Sequence, residues 1–309
     1  MNNENAVEVT NLTKKFNGLV AVDNISFEVK NGELFGFLGP NGAGKTTTIR
    51  MLTGVIRPDK GSAFIFGYDV VKQGLKTRQL MGIVPEMSNA YVDLSAWNNL
   101  MLVGGLYGVN KKERTERATN LLKKFDLYQR KEQLVKGFSK GMKQKLLLCM
   151  ALISDPQILF LDEPTSGLDV ESQRLIKDII REFNANSTTV FLTTHNMEEA
   201  NQLCDRIAII NHGKIAEIDS PEKVRQQSCG LQTIEISFDK PVNGEDLLKL
   251  PSVNGANKMG DKFRLCVDET NAAIDALVNY ARSKKLNIIA LNTLAPSLED
   301  VFLELVKEN

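Results

Sequence analysis

Residues 34–52 read LFGFLGPNGAGKTTTIRML, and this stretch decides the fold. The apolar run from Glu33 to Leu38 is typical of a buried strand, and the pattern from Thr46 to Leu52 is helical. The turn between them, Gly39 to Thr46, fits the phosphate-loop pattern GxxxxGK followed by Ser or Thr. Its glycines let backbone N–H groups approach phosphate oxygens, and the helix after the loop aims its positive dipole end at the same charge. The stretch therefore predicts a nucleoside triphosphate site.

Two side chains of this loop have individual roles in the prediction. We expect Lys45 to neutralise the β- and γ-phosphates and Thr46 to offer its hydroxyl to Mg²⁺. The residues predicted to bind the nucleotide in this stretch are Gly39, Pro40, Asn41, Gly42, Ala43, Gly44, Lys45, Thr46 and Thr47. A glycine turn that arose by chance would lack the flanking strand and helix. The loop alone still leaves kinases, GTPases, helicases and transporters open.

Length, charge and cysteine usage limit the kinds of protein that this chain can be. A chain of 309 residues suits one large domain and a smaller one. Lys plus Arg equals Asp plus Glu at 38 each, so we expect no nucleic-acid partner. The apolar run Leu146 to Ile153 is far shorter than the roughly 20 residues of a membrane-spanning helix, and the N-terminus lacks a signal-peptide pattern. The scattered cysteines, Cys149, Cys204, Cys229 and Cys266, predict reduced, buried thiols in a cytosolic protein.

The order of apolar patterns predicts an α/β core. Short strands separated by turns precede the phosphate loop, and strands then alternate with helices as far as the hairpin around His212 and Gly213. Such alternation favours a largely parallel sheet. The pattern changes near Pro221, and the remaining C-terminal segment predicts a small α+β domain that closes with a helix from Leu298 to Val306, capped by Ser297 and Asp300.

A second buried strand, Ile158 to Leu161, runs into two carboxylates, Asp162 and Glu163. Burying an unpaired charge is costly, so such a pair needs a reason. The burial of both carboxylates is explained if Asp162 binds Mg²⁺ and Glu163 activates an attacking water. A structural salt bridge is the alternative, and it is a weaker account of both carboxylates together.

Five motifs in order carry a family resemblance. After the phosphate loop come Phe138-Ser-Lys-Gly-Met142, Leu161-Asp-Glu-Pro, Ser166-Gly-Leu-Asp169 and His195. This order and spacing resemble the ATP-binding-cassette (ABC) ATPases over about the first 220 residues. The resemblance implies a phosphate-loop NTPase core with antiparallel β and helical subdomains. It divides the chain into a nucleotide-binding domain at 1–222, with its helical subdomain at about 87–150, and an α+β accessory domain at 223–309.

The resemblance also implies roles for single residues. Phe16 matches the aromatic that stacks on adenine, although a core phenylalanine is the alternative. Asp169 matches the loop at the dimer interface, and His195 matches the histidine that contacts the γ-phosphate and orients the water. The signature motif, which in this family caps the ATP of the opposite protomer, matches Ser139, Lys140, Gly141 and Met142.

Two positions depart from the family pattern. The signature is usually LSGGQ, whereas this chain reads FSKGM from Phe138 to Met142. Lys140 adds a positive charge near phosphate, which should preserve binding but alter its fine geometry. Glu86 stands where most members carry glutamine, and its carboxylate is an acceptable Mg²⁺ ligand. We therefore expect the metal ligands to be Thr46, Glu86 and Asp162.

The resemblance points to the ATPase subunit of an ABC transporter, with ATP and Mg²⁺ as cofactors. It implies a membrane permease as partner and a second cassette, identical or related, in a head-to-tail dimer. The subunit would then be peripheral on the inner face of the cell membrane, with the segment from about Met87 to Leu106 against the permease. The tail from Ala295 to Leu305 resembles exporters of drugs, antibiotics and polysaccharides, which favours export over import.

Two other classes compete with the transporter. A cassette ATPase acting on ribosomes would usually carry two phosphate loops, and one acting on DNA a long coiled coil between Lys45 and Ser139. This sequence shows neither feature. A kinase is disfavoured because Glu163 and His195 suit water as the acceptor.

Overall fold

A computed structural model describes residues 4–86, 90–227 and 232–294, together with Leu298 and Phe302. The chain forms two compact units, Met1–Ser220 and Pro221–Asn309. Most of the predicted closing helix, its capping box and Cys229 fall outside the described residues. None of the helices in the described ranges is both long and apolar enough to cross a bilayer.

An antiparallel sheet and the phosphate loop make up the start of the first unit. Its elements are β1 (Asn5–Phe16), β2 (Leu19–Lys30), β3 (Leu34–Leu38), α1 (Lys45–Leu52), β4 (Lys60–Ile65), β5 (Tyr68–Asp69) and α2 (Gly74–Gln79). Four of the strands form a sheet in the order β2-β1-β4-β5. This is the antiparallel β subdomain that the resemblance implies.

A second, mainly parallel sheet forms the centre of this unit. The next elements along the chain are β6 (Met81–Val84), α3 (Ala96–Leu106), α4 (Lys111–Lys124), α5 (Lys140–Leu152), β7 (Ile158–Asp162), α6 (Val170–Ala185), β8 (Thr189–Thr194), α7 (Met197–Leu203), β9 (Arg206–Asn211) and β10 (Lys214–Asp219). The six-stranded order is β10-β9-β3-β8-β7-β6, and β10 alone among these strands is antiparallel to its neighbour. The prediction of an α/β core with a largely parallel sheet is confirmed.

Aromatic side chains fill the space between the two sheets. The rings of Phe27 and Phe35 are stacked with their centroids 5.8 Å apart. Phe191 lies at 5.5 Å from both Phe37 and Phe160. Every residue of β3, β7 and β8 is buried, which explains their unbroken apolar sequences, because a central parallel strand is covered on both faces. These rigid strands are the ones that position the site.

The helical subdomain consists of α3, α4 and α5, which pack against one another. Helix α5 begins at Lys140, six residues before the apolar run that starts at Leu146. The reason is the cap: the side chain of Ser139 accepts a hydrogen bond from Met142 N, which starts the helix before its first buried leucine.

The second unit is an α+β fold. Its elements are α8 (Pro221–Gln227), β11 (Gln232–Phe238), α9 (Gly244–Leu247), β12 (Val253–Met259), β13 (Lys262–Val267), α10 (Thr270–Lys284) and β14 (Ile288–Leu294). The strands form an antiparallel sheet in the order β12-β13-β11-β14. Ile234, Leu265 and Leu277 are fully buried in its core. The sequence pattern did not predict β12, whose residues VNGANKM are mostly exposed and include a glycine.

Candidate functional site

The predicted site residues converge on one edge of the parallel sheet. Strands β3, β8, β7 and β6 are neighbours in that order and run in the same direction. Their carboxyl ends lead into Gly39, His195, Asp162 with Glu163, and Glu86. Open α/β sheets bind ligands at this edge, because the loops that leave neighbouring parallel strands meet there.

The phosphate loop packs so closely against neighbouring strands that two of its positions have no room for a side chain. A Cβ on Gly39 would lie 2.3 Å from the carbonyl oxygen of Ile210. Gly44 adopts φ 113°, and a Cβ there would lie 2.6 Å from the carbonyl oxygen of Ala21. Gly44 also starts α1 without a side-chain cap, so the N–H groups of the first helical turn remain available to an anion.

A cavity of about 330 Å³ opens at this helix N-terminus. Its lining residues are Ala21, Pro40, Asn41, Gly42, Gly44, Lys45, Thr46, Thr47, Glu86 and Glu163. Backbone donors, a lysine and two carboxylates therefore face one small volume. This combination suits a phosphate group that arrives with a cation and reacts with water.

Lys45 connects the loop to the catalytic candidate. Its Nζ donates to the carbonyl oxygens of Gly39 at 2.7 Å and Pro40 at 3.2 Å. The same Nζ lies 3.5 Å from Oε1 of Glu163, and both side chains are almost fully buried. The ammonium group of Lys45 therefore lies between the phosphate loop and Glu163.

The two carboxylates at the end of β7 have different surroundings. Asp162 is 3% exposed and accepts a hydrogen bond from the hydroxyl of Thr193 on β8. Glu163 lies 2.8 Å from Nδ1 of His195 through its Oε2. Its other oxygen, Oε1, is buried and has no hydrogen bond in the described chain. That oxygen faces the ammonium group of Lys45 at 3.5 Å.

The predicted metal ligands are Thr46, Glu86 and Asp162. Thr46 and Glu86 line the cavity, and Asp162 lies beside Glu163 at the end of the same strand. Among the described residues there is no cluster of three or more His, Cys, Asp or Glu side chains that could hold a metal alone. This donor set fits Mg²⁺, which usually binds one or two carboxylates together with substrate phosphates and water.

Phe16 lies outside the cavity lining but on the strand pair that leads to it. The ring is 44% exposed at the end of β1, so it is not a core phenylalanine. Phe16 pairs with Leu19 across the turn, and Ala21, two residues further along β2, lines the cavity. Two residues of strand and one strand spacing place the backbone of Phe16 within roughly 12 Å of the backbone of Ala21.

The signature residues form a separate site on the same chain. Ser139 caps α5, and Asp169 caps α6 by accepting from Ser172 N at 2.8 Å and Ser172 Oγ at 3.0 Å. A Cβ on Gly141 would lie 2.8 Å from Ser172 Oγ, so the two helix starts touch. These hydrogen bonds from Ser172, led by its backbone N–H, hold the pKa of Asp169 below its ordinary value.

The cavity lining in the described chain includes none of the signature residues or Asp169. The structure thus brings together the phosphate loop, the carboxylates and His195, and it leaves the signature apart from them.

One contact was missed from the sequence, which predicts only an ordinary turn at His212 and Gly213. Gly213 N donates to Ala43 O at 3.0 Å, and this hydrogen bond joins the phosphate loop to the turn between β9 and β10. The only sequence signal is a glycine next to a residue suited to positive φ.

Two family descriptions match the chain. Residues 22–166 match the family described as "ABC transporter". Residues 220–306 match the family described as "ATP-binding protein DrrA1-3-like, C-terminal domain". The matches fall in the first and second structural units respectively.

Curated relatives resemble the chain over nearly its whole length. The linearmycin resistance ATP-binding protein of Bacillus subtilis (strain 168) is 34% identical over 304 residues, which is 97% of each chain. The Nod factor export ATP-binding protein I of Rhizobium sp. (strain N33) is 36% identical over 302 residues, covering 97% of this chain and 96% of the relative.

A solved structure resembles the first unit. It is the dimeric ATP-binding cassette in a post-hydrolysis state with ADP and phosphate, at a TM-score of 0.64 and 25% identity. The likeness covers 69% of this chain and 98% of that one.

Proposed function

This chain belongs to the ABC transporter family of ATP-binding proteins, and we propose that it hydrolyses ATP at the Glu163 cavity to drive export through a separate membrane permease. The observation that carries the proposal is the position of Glu163, buried between Lys45 and His195 at the mouth of the phosphate loop. A buried carboxylate beside a lysine and a histidine suits proton transfer from water to carboxylate. Resistance and export relatives support the direction of transport.

The proposed reaction uses side chains already in contact. Glu163 accepts a proton from water at its carboxylate, and the resulting hydroxide attacks the γ-phosphorus of ATP. The bond from that phosphorus to the bridging oxygen breaks, and ADP and phosphate are released. Lys45 and the first-turn N–H groups of α1 stabilise the charge on the phosphates. His195 orients Glu163 by donating from Nδ1 to its Oε2.

Mg²⁺ is part of the proposal because the donor set fits it. Thr46, Glu86 and Asp162 would hold the ion, with Asp162 fixed in turn by Thr193. When bound, Mg²⁺ would neutralise charge on the β- and γ-phosphates. Phe16 would stack on the adenine, because its exposed ring is presented on the strand pair next to the cavity.

A second cassette completes the proposed site. The signature residues Ser139 to Met142 lie at another helix N-terminus, away from the chain's own cavity. In a head-to-tail dimer this N-terminus would meet the γ-phosphate held by the partner, with Asp169 at the interface. The solved post-hydrolysis cassette that resembles this chain is a dimer. The division into a nucleotide-binding domain at 1–222 and an accessory domain at 223–309 is part of the same proposal.

The permease would dock on the segment immediately after Glu86, with the chain held at the inner face of the membrane. Part of this segment, residues 87–89, lies outside the described residues. Beyond it Tyr91 is 50% exposed and Val92 44% exposed. Leu134, 40% exposed, is next to them because Val92 O accepts from Lys136 N at 2.9 Å. These exposed apolar side chains support a protein contact on the helical subdomain.

Detergent co-purification tests the proposal. We expect the tagged chain to retain a polytopic membrane protein, and Val92→Glu to lose it while ATP binding persists. The matched control is Val71→Glu, because Val71 is 42% exposed on a different element and should not affect retention. Co-sedimentation of the chain with ribosomes, and no retained membrane protein, would contradict the transporter assignment.

A further inference from the structure

Glu163 has a backbone conformation that its sequence disfavours. Its φ is 50°, in the left-handed region, although it is not glycine. The next residue is Pro164, and a residue before proline is normally pushed toward extended backbone. Such strain persists only where the surroundings hold it. Something must therefore fix the peptide on both sides of Glu163.

The N-terminal side is fixed by β8. Glu163 N donates to Thr193 O at 3.1 Å and to Thr193 Oγ1 at 3.3 Å. On the other side the chain makes a tight turn, closed by Ser166 N donating to Glu163 O at 3.2 Å. This closing hydrogen bond lies within the turn and does not attach the turn to the rest of the protein. Gln173 on α6 holds the backbone of the turn, because its Nε2 donates to Thr165 O at 3.4 Å and to Leu168 O at 3.1 Å. One side chain within the turn attaches it to a different helix, α7.

That side chain is Thr165. Its hydroxyl donates to Oε1 of Glu199 at 2.6 Å, and this hydrogen bond is buried. Thr165 is 6% exposed and Glu199 is 1% exposed. Glu199 lies on α7, the helix that begins two residues after His195. The turn that carries Glu163 is thus tied to the element that carries its histidine partner.

In the usual capping-box pattern, the Glu199 carboxylate would accept a hydrogen bond from the backbone at the start of its own helix. Asn196 caps α7 by accepting from Glu199 N at 3.0 Å, and Asn-x-x-Glu resembles a capping box. In such a box the glutamate reaches back to the N–H of the capping residue. Here that N–H donates to Thr194 Oγ1 instead, at 3.0 Å. The Glu199 carboxylate is thereby left for Thr165.

We infer that Glu199 is a positioning residue for ATP hydrolysis: by holding Thr165 it keeps Glu163 in the conformation in which its carboxylate meets His195. The inference rests on the proposed function. A stability role alone accounts poorly for the pair, because Oε2 of Glu199 is buried with no hydrogen bond in the described chain. A well-packed apolar side chain would avoid that desolvation cost.

Stability and turnover can be separated by a double-mutant cycle. Thr165→Val leaves a buried carboxylate unpaired, and Glu199→Met leaves a buried hydroxyl unpaired, so both single variants should lower Tm. The double variant replaces both partners by apolar groups of similar shape, and its Tm should return toward wild type. We expect kcat to remain roughly 10- to 100-fold low in the double variant, because the turn that carries Glu163 still lacks its side-chain attachment to α7. KM for ATP should stay within about twofold of wild type, since the phosphate loop is unchanged.

Thr165→Ser is the conservative control, because it keeps the hydroxyl, and we expect kcat close to wild type. If the single variants do not fold, the double variant and the serine variant still decide the question. A double variant that recovers kcat together with Tm would overturn the inference and leave the pair a structural contact. Failure of the proposed function is seen separately, as wild-type protein without ATPase activity or as Glu163→Gln at full activity.

Discussion

Nδ1 of His195 lies 2.8 Å from Oε2 of Glu163, across the gap between the ends of β8 and β7. The histidine side chain is 53% exposed, whereas the Glu163 side chain is only 8% exposed. The pair therefore joins a buried carboxylate to a ring that reaches the outer part of the site. This arrangement lets the ring orient the carboxylate from the outer part of the site.

His195→Ala should lower kcat about 100-fold or more, because Glu163 loses the donor that orients it. KM for ATP should change little, since Lys45 and the loop remain. Steady-state ATPase assays measure both constants. The matched control is His212→Asn, because His212 is the other histidine in the chain and asparagine tolerates its φ of 45°. Equal loss of kcat in the two variants would argue against a specific role for His195.

Phe16→Ala should weaken ATP binding by roughly 5- to 100-fold, as expected for loss of base stacking on an aromatic ring. Binding of inorganic tripolyphosphate, which has no base, should be unaffected. Tyr68→Ala is the matched control: Lys76 lies 5.3 Å above the Tyr68 ring, and Lys14 lies at the same distance above Phe16. Calorimetric titration gives the affinities. Weaker tripolyphosphate binding in Phe16→Ala would show a general disruption of the hairpin instead.

Glu86→Gln should raise the Mg²⁺ concentration for half-maximal ATPase by roughly 30-fold, because a unit charge ~4 Å from a divalent ion is worth about 2 kcal/mol where solvent screens it. The assay is a Mg²⁺ titration at fixed ATP. Glu116→Gln, on the exposed surface of α4, removes the same charge elsewhere and serves as control. An unchanged Mg²⁺ requirement in Glu86→Gln would remove Glu86 from the ligand set.

Asp169 should make the stability of the first unit depend on pH in the acid range. Its pKa is lowered from 3.8, first by the Ser172 backbone N–H and then by the Ser172 hydroxyl. A lowered pKa in the folded state means that the stabilisation is complete above 3.8 and is lost as the pH falls through the folded value. Wild type should therefore unfold at higher denaturant concentration than Asp169→Asn at pH 7, and the difference should shrink below pH ~3.8. A difference that is constant across this range would contradict the assignment.

Much of the nucleotide-binding unit could be predicted, because its central strands are buried on both faces and read as unbroken apolar runs. The hairpin at His212 and the strand before Asp162 can be inferred directly from such patterns. Strand β12 was missed because its exposed polar residues and Gly255 lack the alternation that marks a half-buried strand.

The sequence predicted which residues form the site, but it did not predict how those residues are arranged in space. The left-handed backbone of Glu163 opposes the local preference set by Pro164, so only the folded protein could show it. The Thr165–Glu199 hydrogen bond joins residues 34 positions apart and has no sequence signature. Tertiary contacts, and not local propensity, determine both features.

The central claim is that Glu163 hydrolyses ATP in a site that a second cassette closes. Glu163→Gln keeps the shape of the side chain but cannot accept the water's proton, so turnover should fall by a factor on the order of 100 to 10,000. ATP binding should persist, and the variant should form a dimer when ATP and Mg²⁺ are added. The most direct measurement is size-exclusion chromatography with light scattering of Glu163→Gln, with ATP and without it, alongside its ATPase rate. An ATP-dependent dimer with no turnover is the predicted result, and a monomer that hydrolyses ATP at the wild-type rate would contradict the account.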